Sequence, residues 1–136
     1  MAFLAGLKGA LRRGTPSFNE LETAVLTAIR SKLPPDVQLR FEERIKRVNL
    51  VQRLDGGREV NCYVMRGGKP TLDSDTRIDA TSGERLFAKF RIEGGKMTEN
   101  TGAVWLVNGN LFSIQFEKPT EHADAKEVSA VSVDLV

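Results

Sequence analysis

The stretch Ile45-Lys46-Arg47-Val48-Asn49-Leu50-Val51-Gln52-Arg53-Leu54-Asp55-Gly56-Gly57-Arg58 decides the fold class of this chain. Up to Val48 the apolar residues recur every three or four positions. Val37, Phe41, Ile45 and Val48 form one stripe, opposite Arg40, Glu43 and Arg47, as on a helix. After Val48 the rhythm shortens to two. Val48, Leu50, Gln52 and Leu54 alternate with Asn49, Val51 and Arg53, the pattern of a strand. Asp55-Gly56-Gly57-Arg58 then reverses the chain, because glycine enters positive φ without steric cost.

Upstream, the helical rhythm extends through two segments. Ser17 and Glu20 have capping-box spacing, and Phe18, Leu21, Val25, Ile29 and Leu33 share a face, which predicts a helix over 17–33. Pro34-Pro35 ends it, and Pro35 opens a second helix over 35–47. Before Gly14, Phe3, Leu7 and Leu11 repeat every four residues, with Lys8, Arg12 and Arg13 elsewhere on the wheel. Residues 1–14 therefore read as a short amphipathic or flexible segment.

Downstream, the two-residue rhythm predicts strands over 48–54, 59–65, 85–92, 97–107 and 110–117. Asn108-Gly109 is the strongest hairpin signal among their turns. Residues 71–84 read as a long polar loop. The segment 118–136 reads as a polar tail in which Val131, Val133 and Leu135 are able to add an edge strand. The expectation is one α+β domain over 15–117, with helices packed on a five-stranded antiparallel meander. A long helix across such a sheet resembles cystatin-like architecture, an analogy of architecture that implies no function. In a meander, the Asp55–Arg58 and Glu93–Lys96 turns share one end of the sheet. Arg66–Pro70, the long loop and Asn108-Gly109 share the other, which is the natural place for binding loops.

The chain has 136 residues, 40% hydrophobic and 28% charged, with one cysteine, Cys62, and one histidine, His122. A disulfide framework and a multi-cysteine metal site are thereby excluded within the chain. Cys62 lies in phase with Val60 and Val64 and is expected to face the core, as small buried thiols do. His122 has no catalytic neighbour in sequence. No apolar run approaches the ~20 residues of a membrane-spanning helix. The start of the chain lacks the basic-then-apolar order of a secretory signal. With one unpaired thiol, these features favour the cytoplasm.

Several motifs fall short on inspection. Gly68-Lys69-Pro70-Thr71 carries proline where a phosphate loop needs a hydroxyl. Asp73 to Glu84 has the acidic positions of a calcium loop, but Arg77 and Ile78 occupy a ligand position and the obligatory glycine position. Asp73, Asp75 and Glu84 are thus weak metal candidates. No cofactor is expected, and enzyme chemistry would have to use these carboxylates with a metal.

Charge is uneven. Residues 1–70 carry thirteen basic and seven acidic side chains, whereas 71–136 carry seven and eleven. Arg40, Arg44, Lys46, Arg47, Arg53, Arg58, Arg66 and Lys69 are candidates for an anion or nucleic-acid surface, driven by counterion release. The leading reading is instead a non-enzymatic interaction module. Tyr63, Phe87 and Trp105, with Met65 and Val107, fall on the alternate phase of their strands, and this suggests an apolar second face for a partner or another copy of the chain. Tyr63, Phe87 and Trp105, with Arg66 and Lys69 at the loop end, are the expected contact residues.

Overall fold

The computed structural model describes residues 14–136, so the amphipathic helix expected within 1–13 lies outside the described residues. Two helices, α1 (Glu20–Arg30) and α2 (Pro35–Arg47), precede seven strands: β1 (Leu50–Leu54), β2 (Glu59–Arg66), β3 (Lys69–Thr71), β4 (Glu84–Gly94), β5 (Asn100–Val107), β6 (Asn110–Phe116) and β7 (Val128–Leu135). All pairings are antiparallel, in the order β1-β2-β6-β5-β4-β7, with β3 folded back on the end of β2. No described helix is long and apolar enough to cross a membrane.

The capping box forms at Asn19 and Glu22 rather than at Ser17 and Glu20. Asn19 Oδ1 accepts from the Glu22 N–H at 2.9 Å, and Glu22 Oε1 accepts from the Asn19 N–H at 2.9 Å. Both spacings satisfy the motif, and Asn caps as well as Ser. The later start also serves Arg53 on β1, which donates to both Glu22 oxygens at 2.7 Å. At its other end α1 stops at Arg30, and 3₁₀-type bonds carry the chain to a still-buried Leu33.

The sheet differs from the five-stranded meander in strand number and order. β3 escapes the sequence pattern because Pro70 cannot donate to a ladder, yet it is tolerated on this short edge strand opposite Met65. β7 is the alternating Val131, Val133, Leu135 run, and it occupies the outer edge of β4. Short turns keep β4, β5 and β6 adjacent, but the long 71–84 segment frees β4 from β2. β6 therefore lies beside β2 in place of β4. The expected grouping of turns at the two ends nonetheless holds, since every pairing is antiparallel. Asn108 and Gly109 have φ of 47° and 76°, as a type I′ turn requires. The turn meets the long loop through Ile78 N–H to Gly109 O at 2.9 Å and Asn108 N–H to Gly83 O at 3.0 Å.

Two β-bulges rearrange the faces. Pairing between β4 and β5 skips Phe87, and pairing between β5 and β6 skips Phe112. An extra residue inverts the alternation beyond it. Phe87 consequently joins Ala88, Phe90 and Ile92 in the main core, with its ring 6.3 Å from that of Phe41, while Leu86 pairs with Trp105. Phe112 leaves the face of Ile114 and Phe116 and meets Tyr63 edge-on at 5.4 Å. Leu86 is thereby parted from Ala88, Phe90 and Ile92, and Phe112 from Ile114 and Phe116, although each set alternates in the sequence.

Both helices cover the same side of the sheet. Leu21, Val25, Leu26 and Ile29 of α1 and Phe41 of α2 form one buried cluster with Val51, Val60, Cys62, Val64, Val104, Leu106 and Ile114. Each such side chain contributes roughly 1.5–3 kcal/mol on leaving water. Phe90 and Phe116 meet edge-on at 5.4 Å in this core. Gly102 makes room for them, because a Cβ there would stand 2.4 Å from the Phe90 ring.

Candidate interaction face

The side of the sheet turned away from the helices carries three successive rows of side chains. One is apolar: Tyr63, Val107 and Phe112 are buried together, with Leu50, Met65 and Leu72 packed against them. The next is polar and runs directly across four strands, since Gln52 opposes Asn61, Asn61 opposes Ser113 and Ser113 opposes Trp105. Gln52, Asn61 and Ser113 are buried, and Gln52 Oε1, Asn61 Oδ1, Tyr63 OH and Ser113 Oγ have no hydrogen-bond partner among the described residues. Burial also raises the Tyr63 hydroxyl above its ordinary pKa, so it stays a neutral phenol. Trp105 is half-buried, and its Nε1 donates to Gln115 Oε1 at 2.9 Å.

The third row is charged. Glu59, Gln115, Ala103, Lys89 and Asp134 oppose one another in turn from β2 to β7. With Arg58, Arg91 and Glu117 they line an open groove of about 680 Å³. Three cations and three carboxylates thus share the groove.

Of the five expected contact residues, Trp105 alone joins this face with a partly accessible side chain. Tyr63 lies on the face but is 1% exposed, and Phe87 is in the opposite core because of its bulge. Arg66 and Lys69 sit at the loop end. Arg66 donates to Asp73 at 2.6 and 2.8 Å, whereas Lys69 is exposed at the tip of β3.

The calcium-like spacing of 73–84 is put to another use. Ser74–Thr76 forms a 3₁₀ turn, and Glu84 begins β4 opposite Val107. Asp73 and Asp75 accept from Arg47 at 3.0 and 2.8 Å. Their oxygens are therefore occupied by guanidinium groups, and no cluster of three His, Cys, Asp or Glu side chains able to hold a metal exists among the described residues. Hydrogen bonds from Arg66 and then Arg47 draw the Asp73 carboxyl down to about 2, below its ordinary 3.8. A depressed native pKa stabilises the fold above the ordinary value, and that stability is lost as pH falls through the native one. Asp73→Asn is accordingly expected to flatten the dependence of the urea midpoint on pH between about 4 and 2. Identical slopes for the two proteins would show that the network adds no stability.

Other groups are equally committed. The Cys62 thiol is buried, donates to Leu111 O at 3.5 Å, and is pushed up to about 11 by its burial, which leaves it a poor nucleophile. His122 is exposed, 3.9 Å from Glu121. The proposed basic surface is largely consumed within the fold. Arg40 pairs with Asp36, Arg47 with Glu43, Asp73 and Asp75, Arg53 with Glu22, Arg58 with Asp55, and Arg66 with Asp73. Arg44 is fully buried, and Lys46 and Lys69 have no ion pair among the described residues.

Sequence reasoning missed the polar row and the structural role of Arg44. For the row, the readable signal was the phase of Gln52 and Asn61, polar residues interleaved with strand apolar ones. For Arg44, a position one turn from Phe41 and Val48 was the available sign. No family model, curated protein or solved structure matches this chain, and the cystatin-like analogy is not borne out by any of them.

Proposed function

We propose that the protein is a non-enzymatic interaction module that associates with a second copy of itself through the helix-free face of its sheet. The observation that carries this reading is the charged groove: Arg58, Lys89 and Arg91 against Glu59, Glu117 and Asp134. A two-fold interface sets a patch against itself, so it favours a surface on which both signs of charge alternate. Such a surface brings opposite charges together on dimerisation and rejects partners of a single sign. Half-buried Trp105, next to the groove through Gln115, supplies the aromatic anchor that interfaces favour. Nucleic acid is the weaker partner, because the basic residues of the first seventy are mostly held by carboxylates of the same chain. A lone, unbridged Cys62 fits a reducing compartment such as the cytoplasm.

Sedimentation across a concentration series tests the reading. The native chain is expected to form a dimer whose dissociation constant rises about tenfold or more in Lys89→Glu and in Trp105→Ala. Both side chains reach solvent, so the melting temperature of dilute protein should change little. A native chain that remains monomeric at every concentration would overturn the proposal, as would variants that associate equally well.

A further inference from the structure

The two outer strands of the sheet end differently. On the β1 side, Thr15 N–H donates to Val51 O at 2.9 Å and Val51 N–H to Thr15 O at 2.7 Å, which closes part of that edge. On the β7 side the backbone is open. Val136 N–H donates to Phe87 O at 2.9 Å, and inward and outward positions alternate from there. Ser132 and Asp134 therefore turn their backbone groups toward β4, whereas Val131, Val133 and Leu135 turn theirs away. These outward N–H and C=O groups have no hydrogen-bond partner among the described residues. We propose that the β7 edge binds an extended peptide segment of a partner protein, added antiparallel, in which apolar residues alternate with basic ones.

Proteins ordinarily blunt an exposed edge with proline, lysine, a bulge or a covering segment. The stretch 131–136 contains neither proline nor lysine, and it pairs with β4 in unbroken register from Val131 to Leu135. Its one charge, Asp134, points to the helix-free face. An edge of this kind is suited to strand addition, in which main-chain bonds supply affinity and alternate side chains supply specificity.

The surroundings define those side chains. Val131 and Val133 face the helices, so residues opposite Val131, Val133 and Leu135 would point the same way. On that side α1 and the edge bound an open groove of about 680 Å³, lined by Phe18, Glu20, Ala24, Thr27, Ala28 and Val131. The small helix residues leave room for apolar side chains of valine size. Intervening residues would lie beside Ser132 and Asp134. Neither Asp134 nor Glu20 has an ion pair among the described residues, which favours lysine or arginine in the added strand. A second copy of the chain fits the edge less well. Its own Val133 is 6% exposed, packed in the cluster that contains α1, and has nothing left to place in the groove.

A blocked, fluorescent peptide of alternating valine and lysine, long enough to span Val131–Leu135, tests the proposal. It is expected to bind saturably, one peptide per chain. Amide exchange at Val131, Val133 and Leu135 should slow by about tenfold or more, with little change at Ser132 and Asp134, which are already bonded. N-methylation of the peptide's valines, whose N–H groups would face β7, should weaken binding about tenfold or more, and N-methylation of its lysines should not. Replacing the lysines by glutamate should weaken it similarly. Ala24→Phe, which fills the groove from a half-buried position, should do the same. The peptide variants decide the matter should that protein not fold. Absent binding, or binding equally sensitive to methylation at either set, would overturn the proposal. So would slow exchange at Val131 and Val133 that grows with protein concentration in the peptide-free chain, because a second copy would then hold the edge. Peptide binding is read directly, so neither result depends on whether the helix-free face dimerises.

Discussion

Arg44→Ala is expected to destabilise the protein by about 3–5 kcal/mol, combining the loss of a large buried side chain with the loss of its hydrogen bonds to two carbonyl groups. Arg44 projects from α2 into the core and is 1% exposed. Its Nε donates to Leu111 O at 3.0 Å and its Nη1 to Thr71 O at 3.2 Å, so one side chain ties α2 to β6 and to the end of β3. Burial lowers the pKa of this guanidinium from its usual value, outweighing the raising influence of Cys62 and Asp73. For a chain of this size the loss corresponds to a melting temperature lower by about 10 °C or more. Arg44→Met should cost less, about 1–2 kcal/mol, because methionine fills much of the volume and removes the desolvated charge, although it too withdraws the donor from both carbonyls. Chemical denaturation of the three proteins checks the order. A loss below 1 kcal/mol for Arg44→Ala would mean that water takes over both carbonyls and that the residue is no tie.

The same residue shows where sequence patterns stop being informative. Helix rhythm located α2 correctly at 35–47, because Phe41 and Ile45 mark its apolar face whatever lies opposite. Rhythm does not say that Arg44, beside them on the wheel, points inward. That depends on two carbonyls supplied by Leu111 and Thr71, far along the chain. Strand existence was legible for the same local reason, and five strands appear close to their expected places. Strand order was not. The long 71–84 connection places no limit on where β4 lies, and β6 pairs with β2 through contacts that no local pattern records.

Face assignment fails in a more specific way. Alternation reads correctly along β2, where Val60, Cys62 and Val64 face the helices and Asn61, Tyr63 and Met65 face away. It fails at Phe87 and Phe112 because each is the extra residue of a bulge, and a bulge leaves no reliable mark in a run of apolar residues. Two of the three aromatic contact residues expected from phase are therefore accounted for by packing: Phe87 inside the main core, Tyr63 inside the second cluster. Trp105 keeps its place on the second face. The charged groove beside it was out of reach, because Glu59, Lys89 and Asp134 come together only once the β2-β6-β5-β4-β7 order is known.

The pair Glu22–Arg53 should show an asymmetric response to mutation. Glu22 is 1% exposed at the start of α1, while the Arg53 side chain on β1 keeps 23% of its surface in water. Both Glu22 oxygens accept from Arg53 at 2.7 Å, and one also accepts from the Asn19 N–H at 2.9 Å. Arg53→Met removes the counter-ion from a carboxylate that cannot reach solvent, and breaking a buried pair in this way costs about 3–5 kcal/mol. Glu22→Gln leaves a guanidinium that is able to turn to water and keeps an oxygen for the helix cap, so its cost should be nearer 1–2 kcal/mol. The double variant Glu22→Gln/Arg53→Met contains neither a stranded charge nor an open cap, and it should be more stable than Arg53→Met alone. Denaturant midpoints for the four proteins form a double-mutant cycle, and the coupling energy between directly bonded groups should be on the order of 1–3 kcal/mol. Additive losses would show that the pair does not join α1 to β1. The tie also reaches the segment before α1, since Arg53 Nη1 donates to Thr15 Oγ1 at 2.7 Å. Loosening Arg53 should therefore release Thr15 from the edge of β1, so that amide protection at Val51 falls with stability in Arg53→Met and recovers only in part in the double variant.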